Sequence, residues 1–308
     1  MENKINKNKI SVIGLGKLGL PLTACFASRG FKVLGVDIDE NLIKSLQKGI
    51  SPIVETDLQE YINQSKNNLD FTNNLERAIE ETDISFILVA TPSDPEGNFS
   101  NKYVESALES LSRSLKKNKK PYHLFIISST VMPGSINKKL IPIVQEFSGR
   151  KLNEGFGICH IPDFVALGNV IKDFLNPDIV VIGQSDEFAG EISNYLYKKL
   201  CKNNPLISKM SLISAEIAKV SLNAYITTKI SFANVLANIC EKIPNADVDE
   251  VTKAIGADKR ISPYYFKGGL SFGGTCFPRD TKSFIRFAEG QGIDGGLIRE
   301  VEKINKAQ

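Results

Sequence analysis

The apolar pattern begins at residues 10–13, where Ile-Ser-Val-Ile runs without a break into the glycine turn GLGKLG. The stretch LPLTACFASRG then places apolar residues at helical spacing and stops at Gly30. FKVLGVDID reads as a second strand ending at Asp37, and ISFILVATP (84–92) and HLFIISST (123–130) are two more continuous apolar runs. GICHIP (157–162) and DIVVIG (178–183) bring the total to about six strands, with short helical patterns between them. Strands that are apolar throughout and alternate with helices predict a parallel sheet covered on both faces. The expected class is α/β, a Rossmann-type doubly wound sheet at roughly residues 8–200.

The pattern changes after that. Residues 211–242 contain neither glycine nor proline and keep helical periodicity. As one helix they would run close to ~50 Å at about 1.5 Å per residue. A helix that long and apolar on more than one side packs against a partner. Shorter helices follow to about residue 262, then the glycine-rich stretch GGLSFGGTCFPRD (268–280) and a terminal helix IREVEKINKAQ. The expected division is 1–204 for the sheet domain and 205–308 for an all-α domain with one long central helix. No internal repeat or low-complexity linker interrupts the chain.

Composition narrows the function. The 308 residues are 42% hydrophobic and 24% charged, with a net charge of +3 and no long basic tract. That balance argues against nucleic acid as a partner and leaves a small anionic substrate open. Five scattered cysteines without a C-x-x-C pair predict reduced thiols and a cytoplasmic setting. Two histidines are too few for a histidine-rich metal site, so no metal is expected. The polar start MENKINKNKI lacks the core of a signal peptide, and no run of about 18 apolar residues predicts a membrane span.

Gly14, Gly16 and Gly19, with Lys17 and Leu18 between them, form G-x-G-x-x-G at the junction of a strand and a helix. The first two glycines let the turn approach a pyrophosphate, and the third lets helix and strand pack closely. The helix start offers unpaired N–H groups to phosphate. Asp37, ending the second strand, accepts from a ribose 2′-OH and repels a 2′-phosphate, which favours NAD over NADP. Thr91 and Pro92 end one strand, and Ser128 to Thr130 end the next. There they either touch a cofactor or cap helices.

Lys219 and Asn223 share one face of the long helix, with Asn234 three turns on. A lysine and an amide there either hold an oxyanion by donated hydrogen bonds or make a solvated face or an interhelical bond. Cys276 precedes Pro278 at a plausible first helical position, and Asp280 lies one turn further. A helix start favours a thiolate, and the glycines before it permit close backbone approach, which sets Cys276 apart from an inert thiol. The other four cysteines read as core. A nicotinamide cofactor plus a nucleophilic thiol fits oxidation of an alcohol through an aldehyde, a thiohemiacetal and a thioester to an acid. A two-electron dehydrogenase of the 3-hydroxyacid type, which needs no cysteine, and a non-catalytic NAD-binding relative are the alternatives.

Taken together the motifs resemble the UDP-glucose/GDP-mannose dehydrogenase family over almost the whole chain. Those carrying the resemblance are VIGLGKLGLPLTACFASRGFKVLGVDID, LQKGISPIVE with Glu55, SST-x-x-PG (128–134), NPDIVVIG (176–183), AEIAKVSLNAYITTKISFAN (215–234) and DKRISPYYFKGGLSFGGTCFPRD. The resemblance implies two NAD-dependent oxidations of a nucleotide-sugar C6 alcohol to a uronate. It makes Cys276 the covalent nucleophile and Lys219 and Asn223 the oxyanion stabilisers. Asp280 would act with Lys219 and ordered water, and Thr130 would sit by the nicotinamide. Phe164, Arg260, Tyr265 and Gly273 would help hold the substrate, Arg260 often across a dimer built on the 211–242 helix. Three positions depart from the family pattern: Asp163 and Leu167 replace glutamates in PDFVALG, and Val235 stands where glutamate is common. The chain stops at Gln308, after the helix that leads to the family's C-terminal nucleotide-binding domain, so a form without that domain is expected.

Overall fold

A computed structural model describes residues 5–94 and 99–308. The chain divides into two compact units: residues 1–92 with 100–216, and residues 93–99 with 217–308.

The first unit is an eight-stranded sheet with helices on its faces. Its elements are β1 (Lys9–Ile13), α1 (Gly19–Ser28), β2 (Lys32–Val36), α2 (Glu40–Gln47), α3 (Leu58–Ser65), β3 (Leu69–Thr72), α4 (Leu75–Glu81) and β4 (Ile84–Ile87). They continue with α5 (Lys102–Lys117), β5 (Leu124–Ile127), α6 (Ile141–Ser148), β6 (Gly157–His160), α7 (Val170–Leu175), β7 (Ile179–Gln184), α8 (Glu187–Leu200) and β8 (Leu206–Ser211). The strand order is β3-β2-β1-β4-β5-β6-β7-β8. All neighbours are parallel except β6 and β7, so β7 and β8 run against the rest. The order reverses at β1 and β4, which puts the ligand crevice of such sheets outside their carboxyl ends.

Two of the eight strands, β3 and β8, are absent from the sequence expectation. Both lie at the sheet's edges, where burial is partial and no continuous apolar run is needed. β8 pairs with β7 over six residues, so the first unit extends past residue 204 to Glu216.

Alternate side chains of the central strands enter opposite cores. Ile10, Val12, Ile84, Phe86, Leu124 and Ile126 pack with Phe26 and Phe31, whereas Ile13, Ile87, Phe125 and Ile127 pack with Leu108 and Phe156. A polar chain interrupts the sheet: Ser11 and Ser85 hydroxyls lie 2.7 Å apart, and Ser85 Oγ lies 2.9 Å from His123 Nε2. His123 is fully buried, and its Nδ1 has no hydrogen-bond partner.

The long helix α9 (Leu212–Cys240) spans 29 residues, about 43 Å. From Ile217 on it belongs to the second unit, with α10 (Val248–Gly256), α11 (Phe277–Gly290) and α12 (Gly296–Ala307). Ala224, Ile285 and Ile298 form a small core there with Phe284. The unit also takes in a short segment from far upstream, where Ser93 and Phe99 bridge and the Arg279 guanidinium stacks 4.8 Å from the Phe99 ring. Among the described residues no helix is long and apolar enough to cross a membrane.

Candidate active site

The three glycines of the β1–α1 turn do separate jobs. Gly14 has φ +93°, and a Cβ there would lie 2.7 Å from the Leu88 carbonyl oxygen. A Cβ on Gly19 would lie 1.8 Å from the Gly14 carbonyl oxygen, so this glycine is what lets α1 close on the turn. A Cβ on Gly16 would meet nothing within 4 Å. Gly16 is exposed and faces open space, as a backbone approached by a ligand must. Lys17 is exposed and Leu18 half-buried, and no side chain caps the start of α1 or places an acid in its first turn. Nothing competes with an anion for those N–H groups.

Asp37 closes the other side. Its Oδ2 accepts from the Leu15 N–H at 2.7 Å and its Oδ1 from the Asp39 N–H at 3.0 Å, which ties the end of β2 to the glycine turn. A cleft of about 440 Å³ opens here, lined by Leu15, Gly16, Asp37, Asp39, Pro52 and Ile53. An acid, an uncapped helix start and a bare glycine around one cleft fit the ribose and pyrophosphate of a dinucleotide.

At the neighbouring strand ends Thr91 is buried, Pro92 exposed and Thr130 half-buried. Ser129 caps no helix: its hydroxyl donates to the Val89 carbonyl at 2.7 Å and ties the end of β5 to that of β4. Ser128 Oγ is buried without a partner. Asp163 and Phe164 are half-buried in the loop after β6, and Leu167 is exposed. Glu55 holds this loop, its Oε2 accepting from the Gly168 N–H at 2.9 Å and its Oε1 from the Val170 N–H at 3.2 Å.

Glu216 has no role in the sequence reading, yet it is completely buried. Its carboxylate accepts from the Gly134 N–H at 2.7 Å and the Ile136 N–H at 3.0 Å. Burial pushes its pKa up against the pull of those two donors.

The second unit carries the thiol. Cys276 is exposed at the N-cap of α11, and Pro278 occupies the second helical position, one later than expected. Cys25, Cys159 and Cys201 are buried, and desolvation pushes the last two thiols up to about 12 and about 11. Cys240 is half-buried, so it is less a core residue than expected.

Asp280 returns over Cys276 through the backbone, its N–H donating to the Cys276 carbonyl at 2.8 Å. Its carboxylate, fully buried, accepts from Asn223 Nδ2 at 2.6 Å and Arg279 Nε at 2.9 Å. The interhelical bond left open for Asn223 is therefore present, and one further amide hydrogen remains on that side chain. Lys219 is half-buried one turn before it on α9.

Asn234 does not join that pair. Fully buried, it accepts from the Gly269 N–H at 2.9 Å and donates to the Leu270 carbonyl at 3.3 Å. Gly268 packs against α9, where a Cβ would lie 2.9 Å from that of Ala237, whereas Gly273 is open and Gly274 takes φ +80°. Tyr265, at φ +58°, meets the Phe277 ring edge-on at 6.3 Å, beside the thiol's helix. The Arg260 side chain is 87% exposed and paired to Asp258. Val235 is half-buried on α9.

A glycine cradle with an acid at the switch point of a parallel sheet, in one chain with an exposed thiol at a helix start, defines an NAD-dependent oxidoreductase. Its membership is more specific: the chain belongs to the UDP-glucose/GDP-mannose dehydrogenase family. Residues 8–201 match the NAD binding domain of that family and residues 213–307 its central domain. The chain is 35% identical over 303 residues to UDP-glucose 6-dehydrogenase AglM of Haloferax volcanii, covering 97% of this chain and 70% of that protein. It is 34% identical over 304 residues to GDP-mannose 6-dehydrogenase of Pseudomonas savastanoi pv. phaseolicola, covering 97% and 68%. The solved UDP-glucose dehydrogenase of Pyrobaculum islandicum superposes with a TM-score of 0.90 at 34% identity, over 97% of this chain and 68% of that one.

Proposed function

We propose that the chain oxidises the C6 alcohol of a nucleotide sugar, of the UDP-hexose type, to the uronic acid in two hydride transfers through Cys276. The observation carrying this reading is the exposed Cys276 at the start of α11, four residues before the buried Asp280–Asn223 pair. NAD, when bound, accepts a hydride in each oxidation.

In the first oxidation the alcohol carbon loses a hydride and its hydroxyl a proton, leaving an aldehyde. The hydroxyl proton passes to water held by Asp280 and Lys219. The Cys276 sulfur adds to the aldehyde carbon, and Asn223 and Lys219 donate to the resulting oxygen. The thiohemiacetal then loses the second hydride from carbon and its hydroxyl proton to water, and becomes a thioester. Water then breaks the carbon–sulfur bond, releasing carboxylate, thiol and a proton, and Asp163 is the candidate base for that water. Phe164, Arg260, Tyr265 and Gly273 contact the substrate. Tyr225, Phe232 and Ile239 recur at seven-residue spacing on α9 and are exposed, which supports a homodimer through that helix.

The test follows NADH formation with a panel of UDP- and GDP-sugars. Two NADH per sugar, with rapid alkylation of Cys276 slowed by the same sugar, is the expected result. One NADH per substrate with Cys276→Ala still active points instead to a two-electron hydroxyacid-type enzyme. NAD binding with no turnover of any sugar defeats the catalytic reading.

A further inference from the structure

The backbone between Gly269 and Cys276 has almost no secondary structure to hold it, yet two side-chain amides grip it at separate points. Asn234 of α9 takes the Gly269 N–H and the Leu270 carbonyl. Asn305 of α12 takes both groups of a single residue: its Oδ1 accepts from the Phe272 N–H at 2.7 Å, and its Nδ2 donates to the Phe272 carbonyl at 2.9 Å. Gln308 adds a third bond, from its Nε2 to the Gly269 carbonyl at 2.7 Å. Each asparagine presents one acceptor and one donor, the pair a neighbouring strand would offer. Beyond Phe272 the clips stop. Gly273 and Gly274 are open, and the chain passes through Thr275 to the thiol.

We propose that Asn305 is a positioning residue for the Cys276 loop, acting with Asn234 as a carboxamide clip that fixes where the loop starts. The clip makes the loop rigid up to Phe272 and leaves the three residues before the thiol as the only adjustable part. Phe272 links the clip to the reacting end directly, since its ring meets Phe277, the first residue of α11, edge-on at 6.3 Å. The effect on catalysis rests on the oxidation proposed above. The clip itself does not.

The test is Asn305→Asp in the full chain, read by hydrogen exchange of the peptide covering residues 268–276. A carboxylate can accept from the Phe272 N–H but repels its carbonyl. Exchange is therefore expected to rise about tenfold over wild type at roughly pH 7.5, as one charge-sensitive bond is lost. At roughly pH 4, close to the ordinary aspartate value of about 3.9, about half of the carboxyls are protonated; their O–H donates to the Phe272 carbonyl, and exchange moves back part of the way toward wild type at the same pH. Asn305→Ala removes both bonds and is expected to raise exchange at both pH values. Exchange unchanged in Asn305→Asp at neutral pH, or Asp and Ala behaving alike at both, overturns the clip. In parallel, kcat for sugar oxidation is expected to fall in Asn305→Asp while NAD affinity holds. An inactive wild type would defeat the oxidation reading alone, since the exchange pattern still decides the clip.

Discussion

Two alanine substitutions three residues apart, Gly16→Ala and Gly19→Ala, should separate ligand approach from packing. At Gly19 the new Cβ would sit 1.8 Å from the Gly14 carbonyl oxygen, where no real contact is closer than 3.0 Å. The helix must back away by more than an ångström from the Gly14 backbone. Overpacking of this kind costs about 1–3 kcal/mol. In a unit of roughly 200 residues that lowers the melting temperature by about 2–12 °C. At Gly16 the Cβ meets nothing within 4 Å and φ is ordinary, so the melting temperature without ligand stays within about 2 °C of wild type. NAD affinity should instead fall, by about 5- to 150-fold if the methyl costs the same 1–3 kcal/mol against a bound pyrophosphate. The assay is differential scanning calorimetry without cofactor, paired with calorimetric NAD titration. A Gly16→Ala protein that melts early, or one that binds NAD normally, would refute the assignment of the three glycines.

Two further predictions follow from other parts of the molecule. His123 is held neutral, its pKa well below the ordinary 6.5, by burial first and then by the charges of Lys120 and Arg150. Its folded form resists protonation, so stability is full above about pH 6.5 and drains as pH falls, by about 1.4 kcal/mol at pH 5.5. Urea midpoints at the two pH values should show that loss in wild type and a smaller one in His123→Gln; equal losses would clear His123 of the effect. On the exposed stripe of α9, Phe232→Asp should convert a dimer to a monomer in light scattering, and a monomeric wild type or a dimeric variant would dispose of that interface.

The central strands were legible because burial on both faces forces long apolar runs, as in Ile84–Ile87 and Leu124–Ile127. The edges were not, since β3 and β8 are only partly buried and carry Asp70 and Lys209. The reversal of β7 was equally hidden: a buried strand reads the same in either direction. In the site, glycine spacing and the acid at Asp37 announced themselves. Spacing along α9 grouped Lys219 with Asn223 but misread Asn234, because the loop that claims it lies 35 residues away. Asn305 and Glu216 gave no signal at all. An amide or carboxylate spent on distant backbone groups has no local pattern, and only the fold reveals its partners.

The stacking of Arg279 on Phe99 joins residues 180 positions apart within the second unit. A ribosome adding about 5–20 residues per second leaves an interval of roughly 10–40 s between them. For that time Phe99 is without the guanidinium it stacks on. The second unit is thus finished last, after both of its far-separated pieces have emerged. An internal cut between residues 216 and 217 would not release it whole.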